Sequence, residues 1–440
     1  MTTVLSISRP SRMTRCGQCV RDRFLILAWS ALLGLVSGAA CVGVRLGLHA
    51  LQWIFVQRAG MLPDAAAALS PVRRMLTPVA GAALATAVVR AAGRWSRAGY
   101  FEGYVEAVRY REGRIPFAPT LWRTVSSAFS IATGAAIGRE GSMIQFAAAV
   151  ASWVGEHSPG ERSPFRAPAL SRQVAWGAAA AVAAVYQTPL AGVFFAMEIV
   201  LGAWEWTEVP QLLVASFAGW FVTRAILGSG PLFAVTGPLS LSWQVLWALP
   251  LAILLGFAGP AYRGLLRSLH SARRWPLALL WSGLVVGALS LLQPAVWGNG
   301  DAALMRTLES APALWSIAAV LAARLIATTF CVGTGTVGGV FTPTLFAGAA
   351  VGLAAGRLVH SADPVLLAIV GLSVFLSAVT HAPVMAGLMA VELTGQWHLL
   401  PLLLIMNVVS WCTARRVSPR SLYDIATPSP AEVESTLRRI

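Results

Sequence analysis

The stretch Thr133–Val150, TGAAIGREGSMIQFAAAV, sets one arginine and one carboxylate, Arg139 and Glu140, in a glycine-rich turn at the head of an apolar run. A charge between two long hydrophobic stretches is costly unless it faces a partner, water or a transported solute. Glu140 falls where the backbone N–H groups of a helix start lack intrahelical partners and the dipole favours an anion. Gly138 and Gly141 remove the Cβ atoms that would hold an ion away from those groups. Two readings follow. One is a loop held by an Arg139–Glu140 pair; the other is an anion site that a carboxylate can itself occupy.

Composition sets the surroundings of this turn. Of 440 residues, 57% are hydrophobic and only 12% charged, against about 25% charged in soluble domains. The charge-free runs Ala225–Tyr262, Pro276–Gly300 and Leu325–Gly356 are long enough to cross a hydrocarbon layer of about 30 Å. The chain is therefore expected to be an all-α polytopic membrane protein. Its net charge is +15, and every basic residue is an arginine. A P-loop lysine and Schiff-base chemistry are thereby excluded. The arginines lie in short inter-helix segments, which fits the positive-inside rule better than nucleic-acid binding. Five fall in Met1–Arg23, four in Arg263–Arg274 and five in Arg415–Ile440, so these segments are expected in the cytoplasm. The uncharged linker Gly228–Ser242 is expected outside.

The five cysteines form no disulfide framework, and Cys16 and Cys19 make a lone C-x-x-C with no second pair and no nearby histidine. No cleavage site follows a short apolar core, so the apolar stretch from Phe24 is read as a retained helix. Residues 1–23 read as a basic tail and 24–414 as the membrane domain. Residues 415–440 read as a short polar end without a regulatory domain. The segments Gly93–Arg123 and Glu156–Arg172 are polar or proline-rich, as expected where broken helices line a cavity.

An internal repeat organises the chain. Gly177–Gly202, GAAAAVAAVYQTPLAGVFFAMEIVLG, matches Gly371–Gly395, GLSVFLSAVTHAPVMAGLMAVELTG, at an offset of 194, pairing Pro189 with Pro383 and Glu198 with Glu392. Upstream, at an offset of 201, Gly138 pairs with Gly339 and Thr133-Gly134 with Thr334-Gly335. Halves of about 24–227 and 243–414, joined by an outside linker after a cytoplasmic start, insert with opposite topology. That layout brings two glycine-rich helix starts together near the midplane. GTGTVG at 333–338 satisfies a dinucleotide fingerprint, but inside a charge-free run it reads instead as a nest capping a helix that starts near Val340. No Ser-His-Asp, H-E-x-x-H or Cys/His metal spacing points to an enzyme, a metal or a cofactor. His381 and His398 read as satisfied core residues, and the tryptophans as interfacial anchors.

GREG at 138–141, GGVFTP at 338–343, PLAG at 189–192 and a late Leu422-Tyr423 resemble the CLC family of chloride channels and chloride/proton exchangers. LSPVRRMLTP at 69–78 and PAVWGNG at 294–300 are similar to its bacterial ClcB-type branch. The resemblance implies a homodimer in the bacterial plasma membrane, the inner membrane if Gram-negative, with one pore per subunit and both termini cytoplasmic. The helices carrying Pro189–Gly202 and Pro383–Gly395 would contribute to the dimer interface. Chloride and similar anions would be the transported ligand, the bilayer the surrounding partner, and no nucleic acid would be bound. By the same resemblance Glu140 is the external gate. Gly141 and the backbone N–H groups of Val340 and Phe341 hold the central anion, and Tyr423 offers its hydroxyl from the cytoplasmic side. Ser142 stands where the family has proline. Gly99 stands where it has an anion-binding serine.

Ile199 stands where exchangers carry a second, proton-relaying glutamate. Glu198 could substitute as a carrier, or share a structural role with Glu392. The expected function is accordingly a voltage-gated-type chloride channel gated by Glu140, with a chloride/proton antiporter as the alternative. A membrane-embedded enzyme is the remote one. A fluoride exporter is disfavoured by the intact GGVFTP stretch.

Overall fold

The computed structural model describes residues 12–58, 60–95, 103–158, 168–228, 230–235, 237, 239, 243–310, 312–360 and 363–423. Among these the chain forms seventeen α-helices and no strand, with one isolated antiparallel bridge between Gly138 and Gly339. Six helices are long and apolar enough to cross a membrane, the first within Val20–Val56 and the last within Trp397–Val417. Others, such as Pro189–Leu201 and Pro383–Thr394, are shorter than a membrane span.

None of the three long charge-free runs is a single helix. Ala225–Tyr262 divides between Val209–Leu227 and Ala248–Ser268. Pro276–Gly300 contains the helix Ala278–Leu292, after which the chain turns through Pro294–Val296. Leu325–Gly356 breaks between Leu314–Gly333 and Phe341–Leu358. The break at Gly335 lies at φ +87°, a left-handed conformation that continues no α-helix. Apolarity alone cannot locate such breaks, because the protein interior shields this backbone from lipid.

The repeat is visible in the local geometry. Thr133 Oγ1 donates to Phe129 O (2.8 Å) and Ser130 O (3.1 Å), and Thr334 Oγ1 donates to Phe330 O (2.8 Å) and Cys331 O (3.3 Å). Gly134 and Gly335 follow at φ +109° and +87°. The same holds one block later. The buried helices Leu170–Tyr186 and Pro364–Thr380 both end in a left-handed residue, Gln187 at φ 61° and His381 at φ 59°. Pro189 and Pro383 then open the next helix, where a missing N–H costs nothing.

These two short helices cap one another. Glu198 accepts from the backbone N–H groups of Val384 (3.3 Å) and Met385 (2.8 Å), and Glu392 accepts from those of Leu190 (3.0 Å) and Ala191 (2.8 Å). Each carboxylate satisfies donors at a helix start that has no side-chain cap from its own N-cap residue. His381 Nε2 lies 3.1 Å from Arg263 Nη1 and is satisfied there, whereas His398, with Nε2 3.0 Å from Leu239 O, is exposed and is not a core residue. The tryptophans divide. Trp206 and Trp315 are exposed, but Trp176 and Trp297 are wholly buried and anchor no interface.

Removing either cap strands two buried donors. Glu392→Ala and Glu198→Ala are each expected to destabilise the fold by about 1–3 kcal/mol, read as a lower thermal midpoint in detergent. Unchanged midpoints in both would show that the caps contribute nothing.

Candidate functional site

The site forms where the two glycine-rich turns meet. Gly138 N–H donates to Gly339 O (2.6 Å) and Gly339 N–H donates to Gly138 O (2.7 Å). Immediately beyond this pair the helices Glu140–Glu156 and Phe341–Leu358 begin, so their unpaired N–H groups face a common space. Glycine is required here for a reason the sequence did not show. A Cβ on Gly141 would lie 2.6 Å from Gly339 Cα, and one on Gly339 would lie 2.8 Å from Gly141 N. The missing side chains admit the other backbone.

Glu140 is 2% exposed. Its Oε2 occupies the space that a Gly138 Cβ would fill, so the carboxylate folds back over its own helix start. Oε1 accepts from Asn299 Nδ2 at 2.5 Å. The simpler reading of the turn, an Arg139–Glu140 pair, is corrected: Arg139 Nη2 instead pairs with Asp301 Oδ2 at 3.2 Å. Arg45, His49, Arg139, Tyr186 and Asn299 line, with Glu140, a cavity of about 360 Å³. Its lining carries three arginines, Arg45, Arg58 and Arg139, against two carboxylates, Glu140 and Asp301.

The other residues singled out in the sequence fall around this point. Gly141, Val340 and Phe341 are brought together with Glu140 by the glycine pair. Below, Tyr186 packs its ring on Phe341 (5.2 Å between centroids), and its hydroxyl lies 3.2 Å from Thr342 Oγ1. Tyr423 stacks edge-on against Phe195 (6.1 Å), and Tyr104 packs on the same Phe195 ring (6.2 Å). Leu422 N–H, bonded to Val379 O at 3.0 Å, ties this segment to the core. Gly99 lies outside the described residues. Ile199 is 2% exposed in the apolar core, and its carbonyl accepts from Arg109 Nη2 at 2.6 Å.

Three contributors were missed from sequence: Asn299, Tyr104 and Arg324. Asn299 is 159 residues from Glu140 and Tyr104 follows the unmatched serine region; neither carries a local signature. Arg324 did have one, a lone charge inside an apolar helix.

Two matching halves whose helix starts meet at one point define a polytopic helical membrane protein. Residues 81–415 match the voltage gated chloride channel family. A Ralstonia nicotianae protein designated ClcB-like chloride channel is 36% identical over 414 residues, covering 90% of this chain and 95% of that one. The voltage-gated ClC-type chloride channel ClcB of Citrobacter koseri is 34% identical over 423 residues, covering 91% and 98%. In fold, the chain is similar to a slow cyanobacterial Cl−/H+ antiporter, with a TM-score of 0.78 over 94% of this chain and 98% of that one, at 22% identity. The protein belongs to the CLC family of chloride-transporting membrane proteins, in its ClcB branch. The family consists of transporters and channels, and requires no cofactor.

The geometry separates backbone from side-chain contributions. Gly339→Val forces two backbones apart and is expected to cost about 1–3 kcal/mol in the site, with anion flux falling in proportion. Tyr423→Phe removes one neutral hydrogen bond and is expected to cost roughly 0.5–1.5 kcal/mol. Chloride efflux from proteoliposomes ranks the two. Loss of flux in Tyr423→Phe with normal flux in Gly339→Val would reverse the assignment.

Proposed function

We propose that the protein conducts chloride and similar small anions passively, as a homodimer in the bacterial plasma membrane with both termini cytoplasmic. Its membrane domain spans about 24–414 in two halves, 24–227 and 243–414. The N–H groups of Gly141, Val340 and Phe341 cradle the ion with partial charges, which bind firmly enough to admit an anion and weakly enough to release it. Tyr423 faces it from the cytoplasmic side. Glu140 is the gate. Ionised, its carboxylate takes the anion's place over the helix start; protonated or displaced, it vacates that place.

The observation that carries the passive reading is Ile199. It cannot hold a proton, and it is buried among apolar side chains. The neighbouring Glu198 is engaged by both oxygens as a helix cap. A proton path from the cytoplasm to Glu140 through a dry interior needs a titratable carrier, and this position supplies none. Flux is expected to reverse at the anion equilibrium potential, whatever pH gradient is imposed. Proteoliposome measurements with and without a proton gradient test this. Proton movement driven uphill at a fixed ratio by a chloride gradient would instead establish the second reading, a chloride/proton antiporter. The fold's likeness to a Cl−/H+ antiporter supports that reading. In that case Glu198→Gln would be expected to abolish the coupling.

The gate has its own test. Glu140→Gln mimics the protonated side chain, so flux is expected to persist and lose its pH dependence. A full wild-type pH response in this variant would overturn the assignment.

A further inference from the structure

We propose that Asn299 is a latch on Glu140, holding the carboxylate over the helix start and thereby setting the pH at which the anion path opens. This rests on the reading of Glu140 as the gate.

The contact is direct and enclosed. Asn299 Nδ2 donates to Glu140 Oε1 at 2.5 Å, with Asn299 5% and Glu140 2% exposed. The amide cannot sensibly face the other way. Asn299 Oδ1 accepts from Asp301 N–H at 3.3 Å, so the flipped amide would set an oxygen against the carboxylate and an NH2 against an N–H. Oε2, over Gly138, has no side-chain donor among the described residues. Asn299 is therefore the carboxylate's side-chain hydrogen bond.

The latch is mounted on a rigid loop. Arg324, 2% exposed, donates from Nη1 to Ala295 O (2.8 Å) and Val296 O (3.2 Å), and from Nη2 to Gly298 O (3.0 Å). Gly298 N–H reaches Gly134 O at 3.3 Å, tying the loop to the turn that precedes Glu140. The Trp297 ring lies against Gly134, where a Cβ would come within 2.5 Å of it. A buried guanidinium thus fixes three carbonyls just before Asn299 and delivers its amide to one place.

The charges around Glu140 leave this role to the neutral amide. From the turn itself, Arg139 is engaged by Asp301 of the helix Asp301–Ser310. From the first helix, Arg45 and His49 line the cavity, with Arg58 beyond that helix's end. From the helix Leu170–Tyr186, Tyr186 is paired with Thr342. A donor to the charged form favours that form, so losing it promotes protonation. With the latch removed, the gate is expected to open at higher pH.

The test uses the full chain in proteoliposomes, with chloride efflux followed from about pH 4 to 8. Asn299→Ala is expected to move the flux midpoint up by about one pH unit, a tenfold change in the proton concentration required. Asn299→Asp keeps the side-chain volume, guards against misfolding, and sets a second carboxyl beside the first. It is expected to shift the midpoint further in the same direction. In a Glu140→Gln background neither substitution should alter the pH profile; a purely structural role would not show this dependence. A wild-type midpoint in both single variants, or an equal shift in the Glu140→Gln background, overturns the latch. If Glu140→Gln alone retains the full pH response, it is the gate reading that fails. If it flattens the response while the Asn299 variants behave as wild type, the gate stands and the latch falls.

Discussion

Two backbone hydrogen bonds between Gly138 and Gly339 join the halves of this protein at the point where the helices Glu140–Glu156 and Phe341–Leu358 begin. Everything in the site depends on that contact. It requires a polypeptide without side chains at 138, 141 and 339, because each Cβ would enter the opposite backbone or the carboxylate. It also sets two groups of unpaired N–H donors, belonging to segments about two hundred residues apart, around one space. No arginine needs to enter that space. Arg139, next to Glu140 in sequence, is turned aside to Asp301, so on the proposed reading dipoles would surround the anion. A full cation there would bind an anion more tightly and release it more slowly.

Buried arginines do appear, but as carpentry. Arg263 donates to Ala378 O (2.9 Å) and Val379 O (3.2 Å) at the end of one helix, as Arg324 does to Ala295 O and Val296 O beside the site. In both places a carbonyl run that has left the helical ladder must be satisfied away from water. A guanidinium, with several donors in one plane, serves two or three such oxygens at once. The cost of burying its charge is offset by backbone that would otherwise be stranded.

The parts of the molecule legible in the sequence are those whose chemistry is local. Glu140 could be placed at a helix start because glycines flank it. The pairing of Glu198 with Glu392 was visible as an offset, and their mutual capping gives that offset a physical meaning. Ile199 could be recognised as non-titratable from its name alone. What could not be read was contact across the fold. Asn299 sits in a stretch noticed only for its similarity to relatives, and its link to Glu140 arises through a loop held by Arg324 and Trp297. The charge-free runs misled for a related reason. They report that a segment avoids water, and say nothing of where it turns when neighbouring protein, rather than lipid, surrounds it. Gly138 and Gly141 were assigned to the ion's approach; the structure adds a steric constraint, the Glu140 carboxylate at Gly138 and the opposing backbone at Gly141.

The exchange of caps between Glu198 and Glu392 also bears on how the chain is made. Synthesis proceeds from the N-terminus, so the helix beginning at Pro189 emerges long before Glu392 is translated. Until then the N–H groups of Leu190 and Ala191 have no carboxylate to accept them. Inside a bilayer that vacancy is costly, and the helix Pro189–Leu201 is too short to span the membrane. The first half must therefore wait, unfinished, in a setting that supplies water or another acceptor, such as the insertion machinery or its own mouth at the interface. Only arrival of the second half completes it. The crossed caps are therefore expected to couple completion of the first half to arrival of the second, and to penalise any product that stops between them.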